Sequence, residues 1–260
     1  WKKSNIFVMD AIDIAGKTEM ELALVVSRFI EPTSDHEFFL TRYSEFAAMV
    51  RQKLDETCSL DLFLEEYGKT GFIQEQSLEM EIWHSDVVRV FEDKRGIPIS
   101  LGVLLIETAN RCGFTAKGVN YPGHFLVSIN EQLIDPVSVR KLDPRQMGEN
   151  SQDKTGLLAP VAPVVTFLRM LNNLKALQAR DQNWTECIEL VDLQLSVSQG
   201  NDRLKASLMF EKGELWTKME AFLIARKNFL EAAKLSDNKE FIEQCEARVI
   251  SISNFEQVLH

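Results

Sequence analysis

The chain has 260 residues, enough for one large domain or two ordinary ones, and its 45% hydrophobic and 26% charged residues are the balance of a soluble globular protein. Its 39 acids against 29 bases, a net charge of −10, argue against a nucleic-acid surface, because phosphate binding needs clustered Lys and Arg. No run approaches the roughly 18 consecutive apolar residues of a membrane span, and the opening WKKSNIFVMD lacks the apolar stretch of a signal peptide, so no membrane partner and a cytoplasmic location are expected. The chain begins at Trp1 rather than Met, and that expectation leaves room for a short leader ahead of it.

From Lys17 to about Arg95 the pattern is helical. MELALVVSRFI, FFLTRYSEFAAMVRQKL and LDLFLEEYGK repeat apolar residues at intervals of three and four, with polar punctuation at Pro32 to Asp35, Thr57 to Ser59, Gly68 and Gly71; three or four helices fit. After Pro98, ISLGVLLIETANRCG is apolar enough for a buried helix, closed by Gly113 as its C-terminal cap. AKGVNY, HFLVSI and QLIDPVSV then read as short antiparallel strands, with NEQ turning between two of them. Residues 148 to 160, GENSQDKTGLLAP, are polar and glycine-bearing, which places a linker there and a domain boundary near 155.

Beyond Pro163 the chain reads as helical to about Ser253. Gly213, Ala225, Phe229 and Ala232 keep the intervals of a tetratricopeptide unit, with small residues where two helices cross and Phe229 filling the groove. Cys187, Val191 and Gln194 echo the second helix of that unit 38 residues earlier. Two degenerate repeats are expected, and such helix pairs generally present a face to proteins or peptides.

The four cysteines, Cys58, Cys112, Cys187 and Cys245, form no C-x-x-C pair and have no His at ligand spacing, so neither a zinc site nor a disulfide framework is expected, and no cofactor is implied. Cys187 and Cys245 read as core. The tripeptide GKT at 16 to 18 lacks the earlier glycine of a phosphate loop, because that position is Ala11, and reads as a helix start after a glycine.

The order of elements from 95 to 136 carries the chemistry. RGIPISLGVLLIETANRCGF, then GVNYPGHFLVSI, then LIDP gives a buried helix, a strand, a strand headed by His124 and a strand ended by Asp135. This order resembles the papain-like transglutaminase fold, in which a Cys at a helix N-terminus, a His on one strand and an Asp on the next converge. The resemblance implies a thiol activated by the helix N-terminus, an imidazole base and an orienting carboxylate. In the resembling motif, G-x-C-x-[DE]-[FY], a second glycine follows the Cys by fifteen residues. Gly96 and Gly113 match the two glycines, and counting from either lands on Pro98 where the motif has Cys. Proline suits the first turn of a helix and is no nucleophile.

RGIPISLG, GVNYPGHFL, IDP and FLRMLNNLKALQARDQNW together are similar to the bacterial SirB1 family, transglutaminase-like proteins carrying tetratricopeptide repeats. A related domain occurs in some eukaryotic F-box proteins. The family usually has an Asn-Ser-x-Leu segment just before its R-G-I-P helix, where this chain has His84, Ser85, Asp86 and Val87. The resemblance implies the architecture and brings no established activity.

The expected fold is therefore α+β. An N-terminal helical layer and a transglutaminase-like helix-plus-antiparallel-sheet core occupy residues 1–155, and an all-α tetratricopeptide-like domain occupies 156–260. The expected function is non-catalytic, with a protein or peptide partner held by the residual cleft, the repeats or both. The cleft candidates are Pro98, Ser100, His124, Asp135, Trp83 and His84. Ser100 is expected to cap or pack within the first turn of its helix. In the competing reading it is the nucleophile of a rearranged Ser100, His124 and Asp135 triad in a hydrolase or acyltransferase. A third reading is a regulatory module that senses a small ligand in the cleft.

His124 is either a polar group facing a groove beside Asp135 and the helix start, or a buried imidazole bonding two strands together. Asp135 is its partner or a turn former. Arg95 reads as a solvated or salt-bridged surface residue, and Trp83 as a packing anchor.

Overall fold

The computed structural model describes residues 14–54, 56, 59–75, 80–146 and 154–258. The chain forms two compact units that divide between Leu174 and Lys175. The division falls inside a helix, whereas the polar stretch near 155 marked the boundary in the sequence; residues 147–153 of that stretch, and Cys58, lie outside the described residues.

The first unit opens with three helices, α1 (Glu19–Ile30), α2 (His36–Gln52) and α3 (Leu60–Gly68). The GKT tripeptide ends in the N-cap of α1. Thr18 Oγ1 accepts the Glu21 N–H at 3.2 Å, and the Glu21 carboxylate accepts the Thr18 N–H at 2.8 Å, a reciprocal cap. Gly71, at φ +86°, turns the chain after α3 into β1 (Ile73–Gln74). A 3-10 turn (Ile82–Ser85) leads into α4 (Val87–Asp93), capped by Asp86, and then β2 (Arg95–Gly96). β1 and β2 pair in parallel, with Ile73 N–H donating to Lys94 O and Glu75 N–H to Gly96 O, each at 2.9 Å.

The central helix α5 (Pro98–Arg111) is apolar nearly all round because it is covered on every side. It ends at Cys112 and Gly113, the latter at φ +96°. The antiparallel sheet follows in simple order: β3 (Ala116–Tyr121), β4 (His124–Ile129), β5 (Gln132–Asp135) and β6 (Arg140–Lys141). The expected turn between β4 and β5 is made by Asn130 and Glu131, both at positive φ.

β4 packs on α5 through a gap left by a missing side chain. A Cβ at Gly102 would lie 2.4 Å from the Phe125 ring, so only glycine lets the ring in. A short helix, α6 (Lys154–Leu157), and the first part of α7 (Pro163–Arg180) complete the unit. Arg169 on α7 donates to the carbonyls of Tyr121 and His124 at 3.0 and 3.1 Å, and to the Asn120 side chain, clamping the hairpin of β3 and β4.

Tyr43 fastens α2 to α5. Its hydroxyl donates to Leu104 O at 2.6 Å and lies 2.7 Å from Thr108 Oγ1, and burial pushes the phenol pKa up. Tyr43→Phe is expected to cost about 1–2 kcal/mol, because the hydroxyl partner of Thr108 is lost inside a packed core. Urea denaturation checks it, and a midpoint indistinguishable from the parent would refute the account.

The second unit is helical: the end of α7, then α8 (Trp184–Ser196), α9 (Asp202–Lys218), α10 (Phe222–Lys234) and α11 (Lys239–Val258). The small and apolar positions singled out in sequence are its core. Cys187, Val191, Ala225, Phe229 and Ala232 are fully covered, and Cys245 is buried. Gly213 lets α9 approach α10, since a Cβ there would meet the Phe229 ring at 2.7 Å. Lys175 is buried and satisfied, with Nζ donating to Gln194 Oε1 and Glu211 Oε2, both at 2.7 Å.

Candidate functional site

Pro98 is the first residue of α5, where its fixed φ suits the opening turn and its missing N–H would have had no partner within the helix. Two residues on, Ser100 is wholly covered, at 0% exposure. Its Oγ accepts the Ile97 N–H at 3.1 Å and lies 2.8 Å from His84 O and 3.0 Å from Ile97 O, the acceptors open to its single proton. The hydroxyl therefore caps the helix and ties it to the 3-10 turn.

His84 is the imidazole that the structure buries, at 3% exposure. Its Nδ1 lies 3.0 Å from the Glu81 N–H; with that N–H as donor, the ring proton rests on Nε2. Nε2 faces Glu75 Oε2 at 3.4 Å, an electrostatic contact rather than an aligned hydrogen bond. Arg95 reaches the same carboxylate at 3.8 Å. Trp83 lies against the imidazole with ring centroids 3.8 Å apart and planes tilted by 35°, donates from Nε1 to Glu81 at 2.8 Å, and carries Arg89 over its own face at 5.1 Å. Asp86 is buried as the cap of α4; burial pushes its carboxyl pKa up, while the Val88 N–H it accepts at 3.0 Å pulls the other way.

His124 and Asp135 lie elsewhere, and both readings of His124 need correction. Phe125 faces α5, so strand alternation sends His124 to the opposite face of the sheet, away from the start of α5. The residue is exposed rather than buried, and its ring meets Tyr121 at 6.4 Å between centroids. Asp135 is occupied as a turn former. It accepts the N–H groups of Val137 and Ser138 at 3.0 and 3.3 Å and the Ser138 hydroxyl at 2.6 Å. Continued one step, the register of β4 and β5 sets Asp135 opposite Leu126, on the face His124 shares, while Ser100 is sealed at the start of α5.

A concavity of about 460 Å³ lies beside the Glu75 and Arg95 pair, lined by Ile73, Gln74, Glu75, Arg95 and Val137. Of these, the sequence pattern marks only Arg95, at the end of the charged run EDKR. Glu75 and Gln74 gave no signal, because their position depends on a two-residue parallel pairing across twenty residues of chain. A roomier hollow, about 760 Å³, opens on the far face of the sheet against Ser128, Leu133, Pro144, Leu158 and Pro160. Among the described residues no cluster of three or more His, Cys, Asp or Glu is arranged to hold a metal ion, and no helix is long and apolar enough to cross a membrane.

The chain is similar in sequence to known proteins. The chain is 28% identical over 194 residues to a UPF0162 protein of Xylella fastidiosa, a match covering 66% of this chain and 69% of that one. It is 24% identical over 245 residues to a UPF0162 protein of Vibrio cholerae, covering 87% and 86%. A UPF0162 protein of Pseudomonas aeruginosa matches at 24% over 173 residues, or 61% and 64% of the two chains. No solved structure matches the chain. The family model for the transglutaminase-like superfamily matches residues 39–178, a span that runs from α2 through the buried helix and the sheet into α7. With that match over more than half of its length, and with α5 followed by the strands of His124 and Asp135 in the order read from the sequence, the chain belongs to the transglutaminase-like superfamily.

Proposed function

We propose that this chain is a non-catalytic, intracellular member of the superfamily, of the SirB1 type, that holds a protein or peptide partner. The observation that carries the reading is the state of the first turn of α5. Pro98 stands where the resembling motif has its cysteine, and Ser100, the substitute hydroxyl, is spent on Ile97 and His84 inside the core. A nucleophile needs a base within hydrogen-bond reach and access to substrate. Exposed His124 on the far face of the sheet and turn-forming Asp135 supply neither.

Binding is supported by the surfaces that remain. The hollow beside Glu75 and Arg95 offers both signs of charge next to exposed Ile73. The C-terminal helices, read as two degenerate tetratricopeptide-like units, expose Leu223 and Ile224 on α10 and Ile250 on α11.

Affinity capture with the full chain, followed by titration of the purified partner, tests this reading. Binding is expected to fall at least tenfold with either Arg95→Glu or Leu223→Asp, whichever surface carries the contact. A fluorophosphonate probe that labels Ser100, and loses labelling in His124→Ala, would overturn the reading and establish the rearranged triad.

A further inference from the structure

Phe125 turns toward α5, so the alternation of β4 sends Leu126 and Ser128 to the opposite face of the sheet. Leu126 joins Val119 and Leu133 there in an apolar patch, with half-buried Leu158 packed against it. The hollow of about 760 Å³ is the open continuation of that patch, walled by Leu133, Leu158 and the rings of Pro144 and Pro160. A second hollow, of about 400 Å³, adjoins it, sharing Ser128, Glu131 and Pro160 and running on to Lys117.

Ser128 is the polar group at the junction of the two. It is only 8% exposed, and its hydroxyl has no hydrogen-bond partner among the described residues. A covered hydroxyl in that state costs free energy until something in the hollow supplies the bond. Lys117 stands directly opposite Ser128 in the register of β3 and β4, which sets their Cβ atoms about 5 Å apart on one face. Lys117 is exposed and makes no ion pair among the described residues. Two further charges border the space. Glu131, in the turn after β4, lines both hollows, and Arg145 on the rim is already paired with Asp143 at 3.0 Å. One end therefore offers a donor hydroxyl beside an ammonium, and the other an apolar trough.

We propose that this hollow binds a small amphiphilic carboxylate, in its simplest form a medium-chain fatty acid. The carboxylate accepts from the Ser128 hydroxyl and meets the Lys117 ammonium, while the hydrocarbon chain lies along Leu133 and Leu158 between the two prolines. The volume falls within the roughly 300–1,000 Å³ of small-molecule sites, where apolar contact supplies most of the affinity and a few polar groups set the orientation. A cationic head would instead be repelled by Lys117. The site lies on the face of the sheet away from α5, so it holds or fails independently of whether the start of that helix is catalytic.

The test titrates decanoate into the full chain, followed by calorimetry and by the methyl resonances of the leucines. Saturable binding is expected, with a Kd on the order of 0.1 mM and with the shifts centred on Leu133 and Leu158. Lys117→Gln and Ser128→Ala are each expected to weaken decanoate about threefold, and Glu131→Gln to strengthen it about twofold. Decylammonium is expected to bind at least about tenfold more weakly than decanoate. Lys117 and Glu131 are exposed, so the opposite signs of their two effects are readable whether or not Ser128→Ala folds as well as the parent. No saturation by about 2 mM, methyl shifts outside the hollow, equal binding of decylammonium, or affinities unmoved by both charge changes would each refute the carboxylate site.

Discussion

Truncating Phe229 to alanine is expected to lower stability by about 3–5 kcal/mol, the range for deleting a buried aromatic ring. The ring is wholly covered. It meets Phe210 edge-on with centroids 5.1 Å apart and packs with Ala225 and Ile252 in the core of the C-terminal helices. The same ring explains Gly213, where a Cβ would come within 2.7 to 2.9 Å of three ring atoms. Gly213→Ala alone therefore costs about 1–3 kcal/mol from overpacking, despite the better helix propensity of alanine. With Phe229 already truncated the obstruction is gone, and the same change becomes neutral or stabilising by up to about 1 kcal/mol. A double-mutant cycle, followed through urea unfolding by the fluorescence of Trp184 and Trp216, thus gives a coupling of about 2 kcal/mol. Effects additive to within about 0.5 kcal/mol would refute the contact.

Why that pair was legible in the sequence, and His124 was not, comes down to periodicity. On α9 and α10 the small and large positions recur at helical spacing, and each helix buries one face, so the period names the buried residues. On β4 it cannot, because the FLVSI that follows His124 is covered on both sides of the sheet. Phe125, Val127 and Ile129 point to the α5 face and Leu126 points to Val119 and Leu133 on the other. An apolar run without alternation leaves the direction of its first residue open, and the family resemblance had directed His124 toward the start of α5.

His84 shows the opposite case. HSD looked like a departure from the pattern that precedes the buried helix, and the fold makes it the hinge of local polar order, through an adjoining Trp83 ring, a facing Glu75 and a carbonyl that Ser100 caps. Nothing local encodes the approach of Glu75, since the pairing of Ile73 with Arg95 is decided by tertiary packing around α4 and α5. The turns, by contrast, were local and could be read. Gly71, Gly113 and the NEQ turn all sit where backbone of positive φ is required.

The role of Ser100 gives the second large effect, and it separates structure from catalysis. Ser100→Val is expected to cost about 2–5 kcal/mol. It takes the hydroxyl from the Ile97 N–H and His84 O, which keep only their long 3.4 Å bond to each other in a covered site, a loss of about 1–3 kcal/mol, and it forces an extra methyl into a space without slack, worth a similar amount. The lack of slack is visible at Gly96, where a Cβ would already stand 2.7 Å from Ser100 Oγ and 2.6 Å from Val90. Ser100→Ala, which removes the hydrogen bonds without adding volume, falls lower, at about 1–2 kcal/mol. His124→Ala, at an exposed position, stays within about 0.5 kcal/mol of the parent. A nucleophile and its base would behave in the reverse way: both alanine variants would keep their stability and lose reactivity together. Chemical denaturation of the three variants decides between the two patterns. If Ser100→Ala proves as stable as the parent, the hydroxyl is not fastening α5 to the His84 turn, and the main support for a non-catalytic cleft is lost.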